Sequence, residues 1–266
     1  YGPLSVRINS KILIMNKIRI IARIDVKNEF AIKGVHLEGL RRVGNPNEMA
    51  LDYYNNKIDE IVFMDAVAAY YDRNSLSELI QRACTDVFIP ITVGGGIRTI
   101  GDIKNALKSG ADKVAINTKA VQEPDFIRQS SKFFGSQCIV SSIEAKAIGE
   151  NKWEVYTDNG REPTGKDVVE WAKYVAKLGA GEIILTSIDK EGTKRGFDIS
   201  LYQNVATSVS IPVIASGGMG KGGDAVQLIK NVNVDAIAVA SVLHYKLESI
   251  QEIKNTLIEN QIKVRI

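Results

Sequence analysis

The stretch Ile91-Thr92-Val93-Gly94-Gly95-Gly96-Ile97 has a counterpart 122 residues later, in Ile214-Ala215-Ser216-Gly217-Gly218-Met219, with Gly95 aligned on Gly217. That duplication restricts the fold more than any other feature of the chain. Each copy is an apolar run of strand length that ends in glycines and leads into a helix-like stretch. Glycines there remove the Cβ atoms that keep a ligand off the backbone, and they leave N–H groups bare for an anion. Taken singly, such glycines equally suit tight turns. Their neighbours repeat as well. Glu60-Ile61-Val62-Phe63-Met64-Asp65 matches Glu182-Ile183-Ile184-Leu185-Thr186-Ser187 at a spacing of 122, and Asp112 to Thr118 matches Asp235 to Ser241 at 123. Ile24-Asp25 answers Ile143-Glu144 at 119. The period is far longer than that of solenoid repeats, so two halves of one domain fit better than an array.

A chain of 266 residues is long enough for one complete α/β barrel. Lys and Arg (34) nearly balance Asp and Glu (31), a net charge of +3 that gives no case for nucleic acid or an anionic membrane. Cys84 and Cys138 lack metal-site spacing and read as buried small residues of an intracellular protein, which places the chain in the cytoplasm. No apolar run approaches the roughly 20 residues of a membrane span. Residues 1–16 form an extension without the basic flank and apolar core of a signal peptide; Met15 is a candidate start, and the residues before it are candidate vector-derived additions.

Residues 17–266 read as a succession of β-then-α units. Ile18 to Val26 alternates poorly and is mostly apolar, as a doubly buried parallel strand should be. A loop from Lys27 to Asn45 leads to a helix opened by Pro46 and running to about Asn56. The second strand is Ile61 to Met64, and Ser75 caps a helix to about Thr85. The third strand, Ile89 to Val93, precedes a helix from about Gly101 to Ser109, stopped by Gly110. The fourth strand is Val114 to Ile116, and Pro124 starts a helix to about Phe134. The fifth is Cys138 to Ile143, followed by a small hairpin around Trp153 to Thr157 with a turn at Asp158-Asn159-Gly160. Thr164 is placed as N-cap of a helix ended by Gly179. The sixth strand is Ile183 to Leu185, the seventh Val213 to Ala215 and the eighth Ala236 to Val239. Helices follow near Ile199 to Thr207, Gly223 to Lys230 and Glu248 to Asn260. No Pro/Ser-rich linker intervenes. The sequence therefore predicts an α/β protein, a single (β/α)8 TIM barrel made of two homologous half-barrels.

In such a barrel the chemistry sits at the C-terminal ends of strands. Reading off those ends gives two candidate phosphate cradles, Gly95 and Gly96 with Asn117 and Thr118, and Gly217 and Gly218 with Ala240 and Ser241; Thr186 and Ser216 end their own strands nearby. Glycine amides with a hydroxyl before a helix N-terminus form an anion seat, and two opposed seats suit an elongated substrate phosphorylated at both ends. Asp25 and Glu144 end the first and fifth strands, which are diametrically opposite in a ring of eight. They would face the middle of such a ligand as general base and general acid, provided their environments push their pKa values apart. The commoner fate of an acidic residue is a solvated or salt-bridged carboxylate, and Lys33 and Arg23 are near enough in sequence to be partners. His36 and His244 are expected on the surface. No Cys/His/Asp cluster has ligand spacing, so neither a metal nor another cofactor is expected. At the opposite end, Arg19, Glu60, Lys113 and Glu182 begin four strands, two of each sign. They fit either solvent-facing strand starts or a salt-bridged plug closing the bottom of the barrel.

These residues carry a likeness that covers Lys17 to Ile266. The motifs Ile24-Asp25-Val26-Lys27, Lys33-Gly34, Thr92 to Ile97, Gly110 to Lys113, Ile116-Asn117-Thr118, Gly179 to Ile183, Leu185 to Asp189, Gly192-Thr193 and Ala215 to Gly218 resemble those of the cyclase subunits of imidazole glycerol phosphate synthase, a histidine-biosynthesis barrel. A related barrel, the phosphoribosyl isomerase of the same pathway, shares the two halves and the two seats, but the strand-start charges and Leu185 to Thr193 fit the cyclase better. The resemblance implies a glutaminase subunit docked at the N-terminal face in a heterodimer, and ammonia passing along the barrel axis. At the other face the ammonia reacts with a bisphosphorylated ribulosyl-formimino intermediate. The products are imidazole glycerol phosphate and an aminoimidazole carboxamide ribotide, a lyase reaction. By the same resemblance Asp25 is a catalytic aspartate, Lys33 belongs to a substrate-covering loop, Arg19, Glu60, Lys113 and Glu182 form the ammonia gate, and Asp112 lies at the glutaminase interface.

The chain departs from that pattern at three positions. Glu144 stands where the family has its second catalytic aspartate; a displacement of roughly one carbon–carbon bond can cost about 100-fold in rate. Glu191 stands in the substrate-binding segment where aspartate is usual. Arg23 replaces a small residue two positions before Asp25, so period-two geometry points it into the barrel, where it needs a partner such as Asp25 or Glu144. Holding that carboxylate ionised would impair proton transfer. These three departures favour a diverged protein, but the intact phosphate seats keep an active cyclase the leading expectation. The alternatives are a diverged paralogue that supplies ammonia for amidation of a surface-sugar precursor, and a non-catalytic activator of a glutaminase.

Overall fold

A computed structural model of the chain describes residues 17–66 and 76–266; the extension with Met15 and the Ser75 cap lie outside the described residues. Eight parallel strands close on themselves: β1 (Arg19–Lys27), β4 (Glu60–Asp65), β5 (Ile91–Gly94), β6 (Lys113–Ile116), β7 (Ile139–Gly149), β10 (Glu182–Ser187), β11 (Val213–Ser216) and β12 (Ala236–Val239), which pairs back with β1. Side chains alternate between two cores. Ile21, Val62, Ala115, Val140, Ile184, Ile214, Ala236 and Ala238 fill the barrel interior, while Ile20, Phe63, Val114, Ile183 and their like pack outward against the helices.

The two halves share structural devices as well as sequence. Asp112 Oδ2 accepts from Ile91 N at 2.8 Å, and Asp235 Oδ2 accepts from Val213 N at 3.0 Å, each satisfying the first amide of the preceding strand. After each glycine cluster an aspartate takes the amides that open the next helix. Asp102 Oδ2 accepts from Arg98 N and Thr99 N at 3.0 and 2.8 Å, and Asp224 Oδ2 accepts from Gly220 N and Lys221 N at 2.8 and 3.1 Å. The ring is fastened where its ends meet. Lys254, on the last helix (Ile250–Glu259), is buried with its Nζ 3.0 Å from Asp59 Oδ1, and Asp59 Oδ2 accepts from Ile20 N at 2.7 Å.

Several expectations need correction. The Lys27 to Asn45 segment is a hairpin, β2 (Phe30–Val35) and β3 (Glu38–Gly44), with β2 continuing antiparallel from β1. Only Ala31 and Ile32 of its apolar residues are fully covered within β2, so no clean alternation announces it. The hairpin after the fifth strand is larger than expected: β7 runs on to Gly149 and pairs with β8 (Lys152–Thr157), which pairs with β9 (Glu162–Asp167). Thr164 therefore lies in β9, donating to Val155 O at 2.7 Å, and the following helix (Val168–Leu178) is capped by Asp167. Cys84 and Cys138 are partly exposed, because they lie on a helix and a 3-10 turn at the barrel's edge. His244 is not a surface residue: its ring stacks on Tyr53 with Nδ1 2.7 Å from the tyrosine oxygen. Burial, then Lys33, pushes its imidazole down to about 4. His36 is exposed, as expected.

Candidate functional site

At the C-terminal mouth both glycine pairs adopt the left-handed backbone that other residues resist, with φ of 94° and 72° at Gly95 and Gly96 and 102° and 105° at Gly217 and Gly218. A methyl group on Gly95 would lie 2.4 Å from Asp65 O, and one on Gly218 would lie 2.1 Å from Gly196 O. Asn117 and Thr118 join the first pair around a cavity of about 340 Å³ that Glu144 also lines. There Asn117 Nδ2 donates to Tyr156 O at 3.1 Å, while its buried Oδ1 has no partner. Ser216, Ala240, Ser241 and Glu191 surround the second pair, where the cavity is only about 10 Å³. The helices that begin at Thr118 and Ser241 have five and four residues, too short for much dipole, so the backbone amides and hydroxyls carry any anion binding.

Between the seats lies a buried charged floor. Asp25 on β1 and Glu144 on β7 face each other from opposite sides of the ring. Arg23, only 3% exposed, points inward as its spacing from Asp25 predicts. Its Nε donates to Asp25 Oδ1 at 2.8 Å, and its Nη1 donates to Thr186 Oγ1 at 2.9 Å and Ser216 Oγ at 3.3 Å. It thereby straps β1 to β10 and β11, across the intervening β12. Lys33, carried by β2, is equally buried; its Nζ lies 3.5 Å from Asp25 Oδ2 and donates to Glu191 Oε1.

These neighbours separate the two carboxylates. Burial raises the Asp25 carboxyl, but Arg23 and then Lys33 more than offset it and hold the group below the usual carboxylate range. Glu144 has no such partner. Burial pushes its carboxyl up to about 7, against the pull of Arg23 and of the Gly160 amide, which donates to Oε2 at 2.8 Å. At neutral pH one carboxylate is fixed as an anion while the other can carry a proton. Lys33 is pushed down by its burial, with Asp25 opposing and Arg23 adding.

At the N-terminal end the four strand-start charges form a closed ring rather than four solvated groups. Arg19 Nη1 lies 2.9 Å from Glu60 Oε1, and its Nη2 is bonded to Glu182; Lys113 Nζ lies 2.9 Å from Glu182 Oε2 and 3.3 Å from Glu60 Oε2. Burial works against the guanidinium's charge, but Glu182 and Glu60 hold its pKa well above the ordinary value. Asp112 is exposed beside Lys113 of this ring. Sequence reasoning missed Gly160, Asp158 and Tyr202. Gly160 reaches Glu144 from the turn between β8 and β9, Asp158 Oδ1 accepts from Thr118 Oγ1 at 3.3 Å, and the buried Tyr202 donates to Ser216 O. Only the Asp-Asn-Gly turn was visible beforehand, and nothing local showed where it lands.

Residues 19–248 match the family model described as histidine biosynthesis protein. The chain belongs to the histidine biosynthesis protein family. Within it, the chain is similar to proteins named imidazole glycerol phosphate synthase subunit HisF. The Legionella pneumophila relative is 59% identical over 207 residues, covering 78% of this chain and 98% of that one. The relative from Lactococcus lactis subsp. lactis is 47% identical over 249 residues, 93% of this chain and 96% of the other. That from Bacillus cereus is 46% identical over 248 residues, with 93% and 98% covered. The membership agrees with the likeness read from the motifs, and the closed eight-stranded barrel agrees with the expected fold. Among the described residues no helix is long and apolar enough to cross a membrane.

Proposed function

We propose that the chain is the cyclase of imidazole glycerol phosphate synthase: ammonia from a glutaminase subunit at the N-terminal face attacks a bisphosphorylated ribulosyl-formimino substrate held at the C-terminal mouth. The lyase products are imidazole glycerol phosphate and aminoimidazole carboxamide ribotide. The observation that carries this reading is the opposed pair Asp25 and Glu144, set between two glycine cradles and driven to different protonation states. The fixed Asp25 anion takes the proton that the attacking nitrogen gives up. Glu144 delivers a proton to the departing group, and burial keeps water from short-circuiting the exchange. Gly95, Gly96, Asn117 and Thr118 hold one phosphate, and Gly217, Gly218, Ser216, Ala240 and Ser241 the other. Thr186 and Lys33 orient the middle of the substrate, and the ring of Arg19, Glu60, Lys113 and Glu182 admits ammonia to the barrel axis. Asp112 lies on the partner's side.

Support for the reading also comes from relatives whose name includes the word subunit, since a subunit has a partner. A second reading rests on the Arg23–Asp25 ion pair. A clamped aspartate is a weaker base, and this favours a diverged barrel that passes ammonia to another acceptor such as a surface-sugar precursor, or one that only activates its glutaminase. The Asp25→Asn variant tests the leading reading: turnover should fall by at least about 100-fold with substrate affinity nearly unchanged. Retained turnover would remove Asp25 from the chemistry.

A further inference from the structure

The two glycine cradles repeat in sequence, but they are not equally open. The first borders a cavity of about 340 Å³, whereas the second has about 10 Å³, too little for a phosphate group. Backbone of Ser187 and Gly196 crowds the second pair, and Glu191 is the charged side chain that lines what space is left. Glu191 is 3% exposed and turns into the second cradle, where a methyl group placed on Gly217 would lie 3.3 Å from Glu191 Oε2. Its other oxygen is bound to Lys33 Nζ. The hairpin that carries Lys33 is fastened down around this contact: His36 N donates to Glu191 O at 2.8 Å, and Asn159 Nδ2 donates to Leu37 O at 3.3 Å. Asp158 borders the first cradle, where its Oδ1 accepts from Thr118 Oγ1 at 3.3 Å, but that cavity stays open.

We infer that Glu191 is a specificity-determining residue of the second seat, its carboxylate occupying the place of an incoming phosphate while the hairpin is down. The inference rests on the reading of both cradles as phosphate seats. A dianion cannot share a buried seat with a carboxylate at van der Waals distance, and Lys33 cannot neutralise both. A bisphosphorylated ligand therefore enters by its first phosphate, at Gly95 and Gly96. It seats the second only when Lys33 parts from Glu191, and a ligand with one phosphate binds without disturbing the pair.

The test is titration of the ¹⁵N-labelled full chain with inorganic phosphate, following the amides of Gly95, Gly96, Gly217 and Gly218 by NMR, in the unaltered protein and in Glu191→Ala and Glu191→Asp. Phosphate should move only the Gly95 and Gly96 amides of the unaltered chain. It should move all four in Glu191→Ala, with the second site tightened at least about 10-fold, and Glu191→Asp should lie between. Movement of all four in the unaltered chain at one phosphate concentration overturns the inference while leaving the seats intact. So does a Gly217 and Gly218 pair that stays still in Glu191→Ala while the first pair responds, a response that also reports correct folding. Silence of all four amides in every protein overturns the seats themselves, and the inference with them.

Discussion

At the level of single residues, the site depends on how Arg23 distributes charge. Burying a guanidinium is costly unless it is paired, and here the pair is Asp25, with Thr186 and Ser216 accepting further hydrogen bonds. The strap fixes Asp25 and leaves Glu144 to carry the proton. Replacing Arg23 with alanine or cysteine releases Asp25 to the upward push of its burial, so the acid limb of the pH–rate profile should move to higher pH. An unchanged limb would show that Arg23 does not set the ionisation of Asp25. Glu144 supports a second expectation, about stability. Its carboxyl binds a proton up to about pH 7 in the folded chain but only up to about 4.5 when unfolded, so it draws stability down as pH rises through that window. Glu144→Gln keeps an acceptor for Gly160 N and removes the charge. It should match the unaltered protein near pH 4 and exceed it by up to roughly 3 kcal/mol at pH 8 in denaturant unfolding. Equal stability at both pH values would mean that Glu144 titrates normally. Arg23 pointing inward was legible from its spacing to Asp25. Which carboxylate it would choose was not, because that depends on strands that lie far apart in sequence.

At the level of elements, the sequence announced the barrel strands clearly and the insertions poorly. Eight short apolar runs before glycines and caps were enough for the ring, since a strand buried on both faces needs no alternation. The β2–β3 hairpin and the β7–β9 meander were obscured because they take their register from a barrel strand that simply continues past the rim. Thr164 looked like a cap because it stands shortly before a helical pattern, yet Asp167 lies closer to the true start and has the stronger acceptor. The last helix is fixed by the buried Lys254–Asp59 pair, which the sequence did not reveal across 195 residues. Lys254→Ala leaves Asp59 buried without its cation and should destabilise the fold by about 3–5 kcal/mol, read as a lowered thermal midpoint. A loss below about 1 kcal/mol would mean that Asp59 is satisfied by Ile20 N alone.

At the level of the whole molecule, the duplicated half-barrel supplies two faces with separate work. One carries the cradles and the carboxylates, and the other carries the charged ring. The repeat made both visible, because matched residues at a spacing near 122 fall at matched ends of matched strands. It could not show that the second cradle differs from the first, since Glu191 reaches it from a loop. If the ring admits ammonia from a partner, Arg19→Ala should lower glutamine-driven turnover of the complex several-fold while turnover with added ammonium salt stays within about twofold. Equal losses in the two assays would argue for a purely structural ring. The most direct measurement supplies the isolated chain with ammonium salt at mildly alkaline pH and the bisphosphorylated formimino substrate, with products followed by mass spectrometry. The account predicts imidazole glycerol phosphate and aminoimidazole carboxamide ribotide in equal amounts, both lost in Asp25→Asn. Absence of both products, with the substrate still bound and a co-expressed glutaminase still stimulated, would contradict it and leave a barrel that has kept its partner without the cyclase chemistry.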